Sequence, residues 1–405
     1  MAALDGVRVI DLSQMIGAPY CTQLLADLGA DVVKVEEPAT ALFTRVALSP
    51  PGAHDDRRFS AYWVATNRNK RSLTLDLRHP EAKSVLADLV AGADVVVENF
   101  GVHARHRLGI DADWGRGVRR DLIWASLTGY GRSGPEAERD GWDLVAQARG
   151  GLLDMTGEPD GPPIKSGNSS SDYLGGLHLA VGILAALHQR AATGDGQVID
   201  VSLLEPVVAC FDGFPLWHSI AGVTPKRTGN FHPAGLPGYS VFPARDGHLV
   251  IGAVGASFSR LLAFLGRADL GEGLAPADDD ERRRWFDEAV AIISAWTGAH
   301  TRDELARELD ALDVPNEPVR TLAEIWDDPQ LEARGAFVEH EQSWLGPIRT
   351  IGSPLHLSAS PFEVRYSPPA AGEHNDEILR DELGYDDERI TALIVDGVLW
   401  GNAED

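Results

Sequence analysis

Cysteine is nearly absent from the 405-residue sequence, which holds only Cys21 and Cys210. Two cysteines exclude a disulfide framework and a cysteine zinc site, and they fit a reduced, cytoplasmic setting. The 13 histidines form no H-E-x-x-H and show no ligand spacing, so no metal is expected. The turn after the first strand pattern reads DLSQMIGAPYC. Neither G-x-G-x-x-G nor G-x-x-x-x-G-K-[ST] is read there or at any other strand–helix turn, and a nicotinamide or P-loop reading loses its main support. No G-x-S-x-G elbow occurs, which argues against a serine hydrolase. The opening MAALDGVRVIDL has no basic segment before a long apolar run. No stretch holds 18 uninterrupted apolar residues, so neither a signal peptide nor a membrane span is expected.

Positive charge is also scarce. Lys plus Arg number 36 against 61 Asp plus Glu, a formal charge of −25. That balance argues against nucleic acid or an anionic membrane as partner. A small anion is still admissible where basic residues cluster. Arg68, Lys70, Arg71, Arg78 and Lys83 do so, followed by Arg105 and Arg107 after Asn99-Phe100-Gly101. Such a cluster is either a phosphate site or a solvated face of ordinary ion pairs.

What is present is globular: 44% hydrophobic and 24% charged residues. The length predicts two domains. The first half alternates strand and helix patterns: strands over 7–12, 31–35, 72–77, 94–97 and 122–127, helices over 19–28 and 80–91. The alternation predicts a parallel sheet covered by helices on both faces. Residues 38–69 read as a long loop. A smaller α+β unit is expected from about Lys226, with a hairpin at 239–252 and a capping box at Thr301-Arg-Asp-Glu. The pattern changes again near Asp327, and a terminal helix is expected over 376–383.

One helix pattern carries a chemical candidate. Leu177, Ala180, Val181, Leu184 and Leu187 recur at helical spacing behind Ser171-Asp172. Asp172 is either an N-cap or an accessible carboxylate kept ionised by the helix start. Gly175 and Gly176 cost helix propensity in the first turn, which fits a close approach to the backbone there. An ionised aspartate beside such a space can attack an acyl group. The nearby Gly141-Trp142-Asp143 reads as a second helix start and is uninformative alone.

Many segments in one order resemble the family III CoA-transferases, which include formyl-CoA transferase and the related α-methylacyl-CoA racemases. They are LDGVRVIDLS, LGADVVKVEEP, NKRSLTLDLRHPEAK, ADVVVENF, GWDLVAQARGGLLDMTGEPDGPP, Asp172-Tyr-Leu-Gly-Gly, HLAVGILAAL, GDGQVIDVSLLE and DDPQLEARGAFVE, then Gly372-Glu373-His374 and Asp376-Glu-Ile-Leu. The resemblance implies an α/β fold with a Rossmann-like large domain. Residues 1–225 would begin it, an inserted small α+β domain would span 226–326, and 327–405 would return to the large domain. It also implies an interlocked, ring-like homodimer.

By the same resemblance the nucleophile falls on Asp172, with Gly175 and Gly176 offering backbone N–H groups. The coenzyme A contacts fall on Ile16, Gly17, Leu75, Asp76, Leu77, Arg78, Asn99, Phe100, Gly101 and Arg107. Glu37 stands where formyl-CoA transferase has arginine, so one phosphate contact is expected to be either missing or supplied elsewhere, by Arg45 or Lys70. Arg45 or Arg227 is expected to meet a second substrate carboxylate. Gly235 and Gly238 would give mobility to a loop over the intermediate. The racemases have histidine where this chain has Trp142, and an indole is no general base. Transfer of CoA from an acyl-CoA to a carboxylic acid is therefore expected. The alternatives are a racemase or CoA-ester isomerase using Asp172 with Asp143, and a non-catalytic CoA-binding subunit.

Overall fold

The computed structural model describes residues 1–38, 41, 43–47, 60–272, 275–343 and 345–400. Contacts divide the chain into two compact units. The first takes 1–151, 167–210 and 330–405; the second takes 152–166 and 211–329. The inserted unit was expected at 226–326, and the short 152–166 stretch was not separated from its neighbours in the sequence pattern.

The first unit is built on six parallel strands: β1 (Arg8–Asp11), β2 (Asp31–Glu36), β3 (Lys70–Thr74), β4 (Val95–Glu98), β5 (Ile123–Thr128) and β6 (Val198–Ser202). Their order across the sheet is β3-β2-β1-β4-β5-β6. Val9, Val32, Val95 and Ile123 face one apolar layer with Leu25, Leu179 and Ile183 from covering helices. Ile10, Val33, Leu73, Val96 and Trp124 face the other layer. Burial on both faces is why these strands read as unbroken apolar runs.

The C-terminal stretch joins the second layer through Ile378, Leu379, Tyr385, Ile390, Leu393 and Leu399. The helix expected over 376–383 is a short turn at Glu377–Glu382, and a further helix follows at Asp387–Val395. The Gly372-Glu373-His374 motif and the next residue pin this stretch to β3. His374 Nδ1 accepts from Ser72 N–H at 3.2 Å, and Asn375 Oδ1 accepts from Thr74 N–H at 2.9 Å.

Strand β3 begins two residues before its apolar run because Lys70 and Arg71 are buried. Their charges are met internally, by Asp11 at 3.0 Å and Asp31 at 2.6 Å. The loop expected over 38–69 lies partly outside the described residues. Its described part holds a helix at Ala61–Thr66, capped by Ser60 and anchored by the buried Trp63. One helix, Ser170–Thr193, is long and apolar enough to cross a membrane. Its buried Leu179, Ala180, Ile183 and Ala186 pack in the sheet's apolar layer, as in a core helix.

The second unit has an antiparallel sheet of β7 (Tyr239–Ala244), β8 (Gly247–Gly252) and β9 (Asn316–Pro318). Helices Ala256–Phe264, Asp279–Gly298 and Arg302–Ala311 cover it, with Leu249, Ile251, Leu261, Ile293 and Leu305 at the core. The capping box is formed: Thr301 accepts from Glu304 N–H while Glu304 accepts from Thr301 N–H.

Candidate active site

In an open parallel sheet, the crevice lies outside the carboxyl ends of strands where the strand order reverses. Here the order reverses between β1 and β4. The turn after β1, Gln14 to Gly17, and the turn after β4, Asn99 to Val102, both line a cleft of about 460 Å³. Asn99 ties the turns together: its Oδ1 accepts from Gln14 N–H at 2.9 Å, and its Nδ2 donates to Gln14 O at 2.8 Å. Met15 holds φ of 70° between them. A non-glycine residue there costs about 1–3 kcal/mol, and such strain tends to collect at functional sites.

Asp172 lies in the first turn of the Ser170–Thr193 helix and lines this cleft. It is not the N-cap, which is Ser169. The helix start does not hold its carboxyl in the usual range. Its pKa is pushed up to about 7, first by burial and then by the charge of Asp143. Withdrawal from water and a like charge outweigh the helix dipole. No cation among the described residues draws it back down.

Asp143 opens the Asp143–Arg149 helix and buttresses the Asp172 turn. One oxygen accepts from Ser171 N–H at 2.9 Å and Ser171 O–H at 2.8 Å; the other accepts from Gln147 at 2.8 Å. Its carboxylate is thus committed to hydrogen bonds. Trp142, beside it, lines the cleft and is 62% exposed.

The close approach expected at the glycines is made by the protein itself. A Cβ on Gly176 would sit 2.4 Å from Gly17 O, and one on Gly175 would sit 3.0 Å from Leu127 Cδ1. At Gly176 it is the protein's own backbone that approaches closely, and at Gly175 it is the side chains of Leu127 and Leu203. Both glycines also lie beyond the N–H groups that a helix leaves free. A Cβ on Gly17 would sit 3.3 Å from Asp172 Oδ1. Gly17 opens the Gly17–Asp27 helix, whose start has no side-chain cap, so it offers free N–H groups beside the carboxylate.

Of the residues expected to bind CoA, Ile16, Gly17, Asn99, Phe100 and Gly101 line the cleft. Leu75 and Leu77 are core residues. Asp76, Arg78 and Arg107 gather around Glu37. Burial and Asp76 push the Glu37 pKa up, while Arg107 and Arg78 draw it down. Arg78 also pairs with Asp76 at 2.7 Å.

Other basic residues are spent inside the fold. Lys70 is fully buried, and Arg68 pairs with buried Asp27 at 2.6 Å. Arg45 forks onto Glu36 at 2.6 and 2.7 Å and stacks 3.7 Å over Trp63. Neither Lys70 nor Arg45 lines the cleft. Arg227 donates to Glu158 O, Asp154 O and Gly161 O within the second unit. Gly235 and Gly238 are in that unit too. Gly238 is locked rather than mobile, since a Cβ there would meet Ala253 O at 2.6 Å.

The loop after β5 supplies lining residues that periodicity does not mark: Gly129, Arg132, Arg139 and Asp140. It carries the spacing G-x-G-x-x-G at Gly129, Gly131 and Gly134, the pattern missing after β1. No helix opens there; the next begins at Asp143, so this is not a dinucleotide turn. Gly129 and Gly141 instead let two backbones cross: a Cβ on Gly129 would sit 2.4 Å from Gly141 Cα.

Comparison with known proteins agrees with this geometry. The description "CoA-transferase family III" matches residues 4–375. Succinyl-CoA:mesaconate CoA-transferase of Haloarcula marismortui is 38% identical over 397 residues, covering 95% of this chain and 98% of that one. Succinate–glutarate CoA-transferase of Agrobacterium fabrum is 36% identical over 383 residues, covering 93% and 95%. The crystal structure of a CaiB/BaiF family protein from Brucella suis superposes with a TM-score of 0.83 at 35% identity, covering 94% of this chain and 99% of that one. The chain is an enzyme belonging to CoA-transferase family III.

Proposed function

We propose that this enzyme moves CoA from an acyl-CoA to a carboxylic acid, with Asp172 as the nucleophile. The observation that carries this reading is a carboxylate in a switch-point cleft, withdrawn from water and held at a pKa of about 7 with no countercharge. Such a group is a better nucleophile than a solvated carboxylate and is still substantially ionised at neutral pH.

An oxygen of Asp172 attacks the thioester carbonyl and expels CoA thiolate, forming an acyl–aspartyl anhydride. The thiolate attacks the Asp172 carbonyl, which releases the donor acid and leaves an aspartyl-CoA thioester. The acceptor carboxylate attacks that thioester and again expels thiolate. The thiolate then takes the acceptor acyl group and frees Asp172. Each attack gathers negative charge on a carbonyl oxygen, which the N–H groups at the start of the Gly17 helix are placed to stabilise. Arg78 and Arg107, whose charges both act on Glu37, would be the cations for the CoA phosphates.

Racemization would need a second group to move a proton. Trp142 has no basic atom, and Asp143 is bound by Ser171 and Gln147.

The protein would act as an interlocked homodimer in the cytoplasm, with no metal. In support, Leu177, Val181 and Leu184 form an apolar stripe exposed on the Ser170–Thr193 helix. Both cysteines are free thiols. A screen of acyl-CoA donors against acid acceptors, read by mass of the CoA esters, tests the function. Transfer with an acid-quenched adduct on the Asp172 peptide is expected. Turnover without any adduct would remove the mechanism, no transfer to any acid would remove the function, and a single-chain mass in sedimentation would remove the dimer.

A further inference from the structure

The cleft gathers three carboxylates, those of Asp140, Asp143 and Asp172, in a chain of net charge −25. An acceptor acid must enter as an anion, so it needs a cation nearby. Among the described lining residues only Arg132 and Arg139 carry one. They differ in how far they are spent. Arg132 Nη2 lies 2.6 and 2.7 Å from the two oxygens of Glu98, which is buried. Arg132 is therefore a neutralised strut. Arg139 is 57% exposed, and its Nη1 meets only the surface carboxylate of Glu136, at 2.7 Å.

The backbone beneath Arg139 is fixed. The Gly129–Gly141 crossing closes the base of its loop. Asp140, the next residue, accepts from Val102 N–H at 2.9 Å. On the far limb Arg132 N–H donates to Asp200 at 2.8 Å. Glu136 is shared with Arg149, at 3.3 Å, and both guanidinium groups lie over Tyr130, at 5.2 and 5.3 Å. Two guanidinium groups thus share the single carboxylate of Glu136. A firm backbone, an exposed fork and an aromatic rest for its plane suit an arginine that receives a carboxylate.

We propose that Arg139 is a specificity-determining residue that binds the remote carboxylate of a dicarboxylic acid while its other carboxylate reacts at Asp172. The proposal rests on the CoA-transfer reading above. Substrate binding would exchange Glu136 for the incoming carboxylate on the same guanidinium. The site would thus prefer dicarboxylates over monocarboxylates of equal length.

The test measures kcat/KM for the acceptor, which reports the half-reaction from the aspartyl-CoA thioester, with succinate and butyrate compared. The intact enzyme should favour succinate. Arg139→Gln should lower kcat/KM for succinate about 10- to 100-fold and change that for butyrate less than about threefold. Arg139→Lys, which keeps charge without the fork, should fall between. Glu136→Gln, which releases the same guanidinium, should leave succinate at or above the native value. Equal losses for both acids in Arg139→Gln would make the residue a CoA contact or a structural one, and would overturn the proposal. So would a native preference for butyrate, or a loss in Glu136→Gln matching that of Arg139→Gln. Absence of transfer to any acid would instead overturn the function on which the proposal rests.

Discussion

Two aspartates flank the turn from Ser13 to Gly17, and both are withdrawn from water. Asp11, at the end of β1, is fully buried. Burial alone would raise its pKa. Lys34 at 3.2 Å and Lys70 at 3.0 Å, with the hydroxyls of Ser13 and Thr22, more than reverse that and hold it well below the usual carboxylate range. Asp172, against Gly17 on the other side, has no such cations and is pushed up to about 7. Burial, complete at Asp11 and partial at Asp172, therefore ends in an inert anchor in one place and a reactive carboxylate in the other. What separates them is the countercharge. The anchor also serves the reactive group: Lys34 donates to Ser13 O, and Asp11 accepts from Ser13 N–H, which fixes the turn that carries Gly17.

The sharpest way to break this contrast is Asp172→Asn. Removing the nucleophile should lower transfer by about 10⁴-fold or more. The same change should stabilise the fold. In the native state Asp172 holds its proton up to about pH 7, whereas the unfolded chain releases it near the ordinary aspartate value of 3.8. Below that value the two states are equally protonated and nothing is gained. Between the two the native state loses stability as pH rises, reaching about 4 kcal/mol above pH 7. Asparagine escapes that cost. Urea unfolding of both proteins at pH 5 and pH 8 checks it, and a variant no more stable than native at pH 8 would show that Asp172 carries no buried charge.

Lys70→Met probes the other aspartate and should act in the opposite sense. It leaves Asp11 buried with one of its two cations and should cost about 3 kcal/mol in urea unfolding, the lower end for a broken buried pair. Transfer at saturating pH should stay within about tenfold of native, because Lys70 is not in the cleft. If Lys70→Met instead shifts the pH at which transfer switches on, the two aspartates are electrostatically coupled and the contrast is too simple.

The contrast also marks what the sequence could disclose. Strand–helix alternation made the parallel sheet legible, since each apolar run is short and bounded. Asp172 stood out because glycines follow it where a helix should avoid them. Its protonation was not legible, because helix position alone predicts an ionised group. The larger cause is burial and the smaller is Asp143, a residue 29 positions away, and only folding brings either about. The basic run from Arg68 to Arg71 read as part of either a phosphate site or a solvated face of ordinary ion pairs. Its partners Asp11, Asp27 and Asp31 are on other strands and helices, so pairing within the fold could not be seen. Gly175 and Gly176 were rightly read as a close approach. A glycine shows that space is needed but not which group fills it.

The smallest expected effect tests how the Asp172 environment is divided between its two causes. Burial is the larger, and Asp143 adds to it. Transfer requires the ionised form, so kcat/KM should fall about tenfold per pH unit below about 7 and level above it. Asp143→Asn removes the like charge and keeps an oxygen that can accept from Ser171. The Asp172 pKa should then fall, and the acid limb of kcat/KM should move to lower pH by less than one unit, since burial is unchanged. At pH 6 the variant would outperform the native enzyme by severalfold, and above pH 8 the advantage would vanish. A limb that does not move would assign the whole shift to burial. A limb that drops to the ordinary range near 4 would make Asp143, not withdrawal from water, the source of the reactive carboxylate.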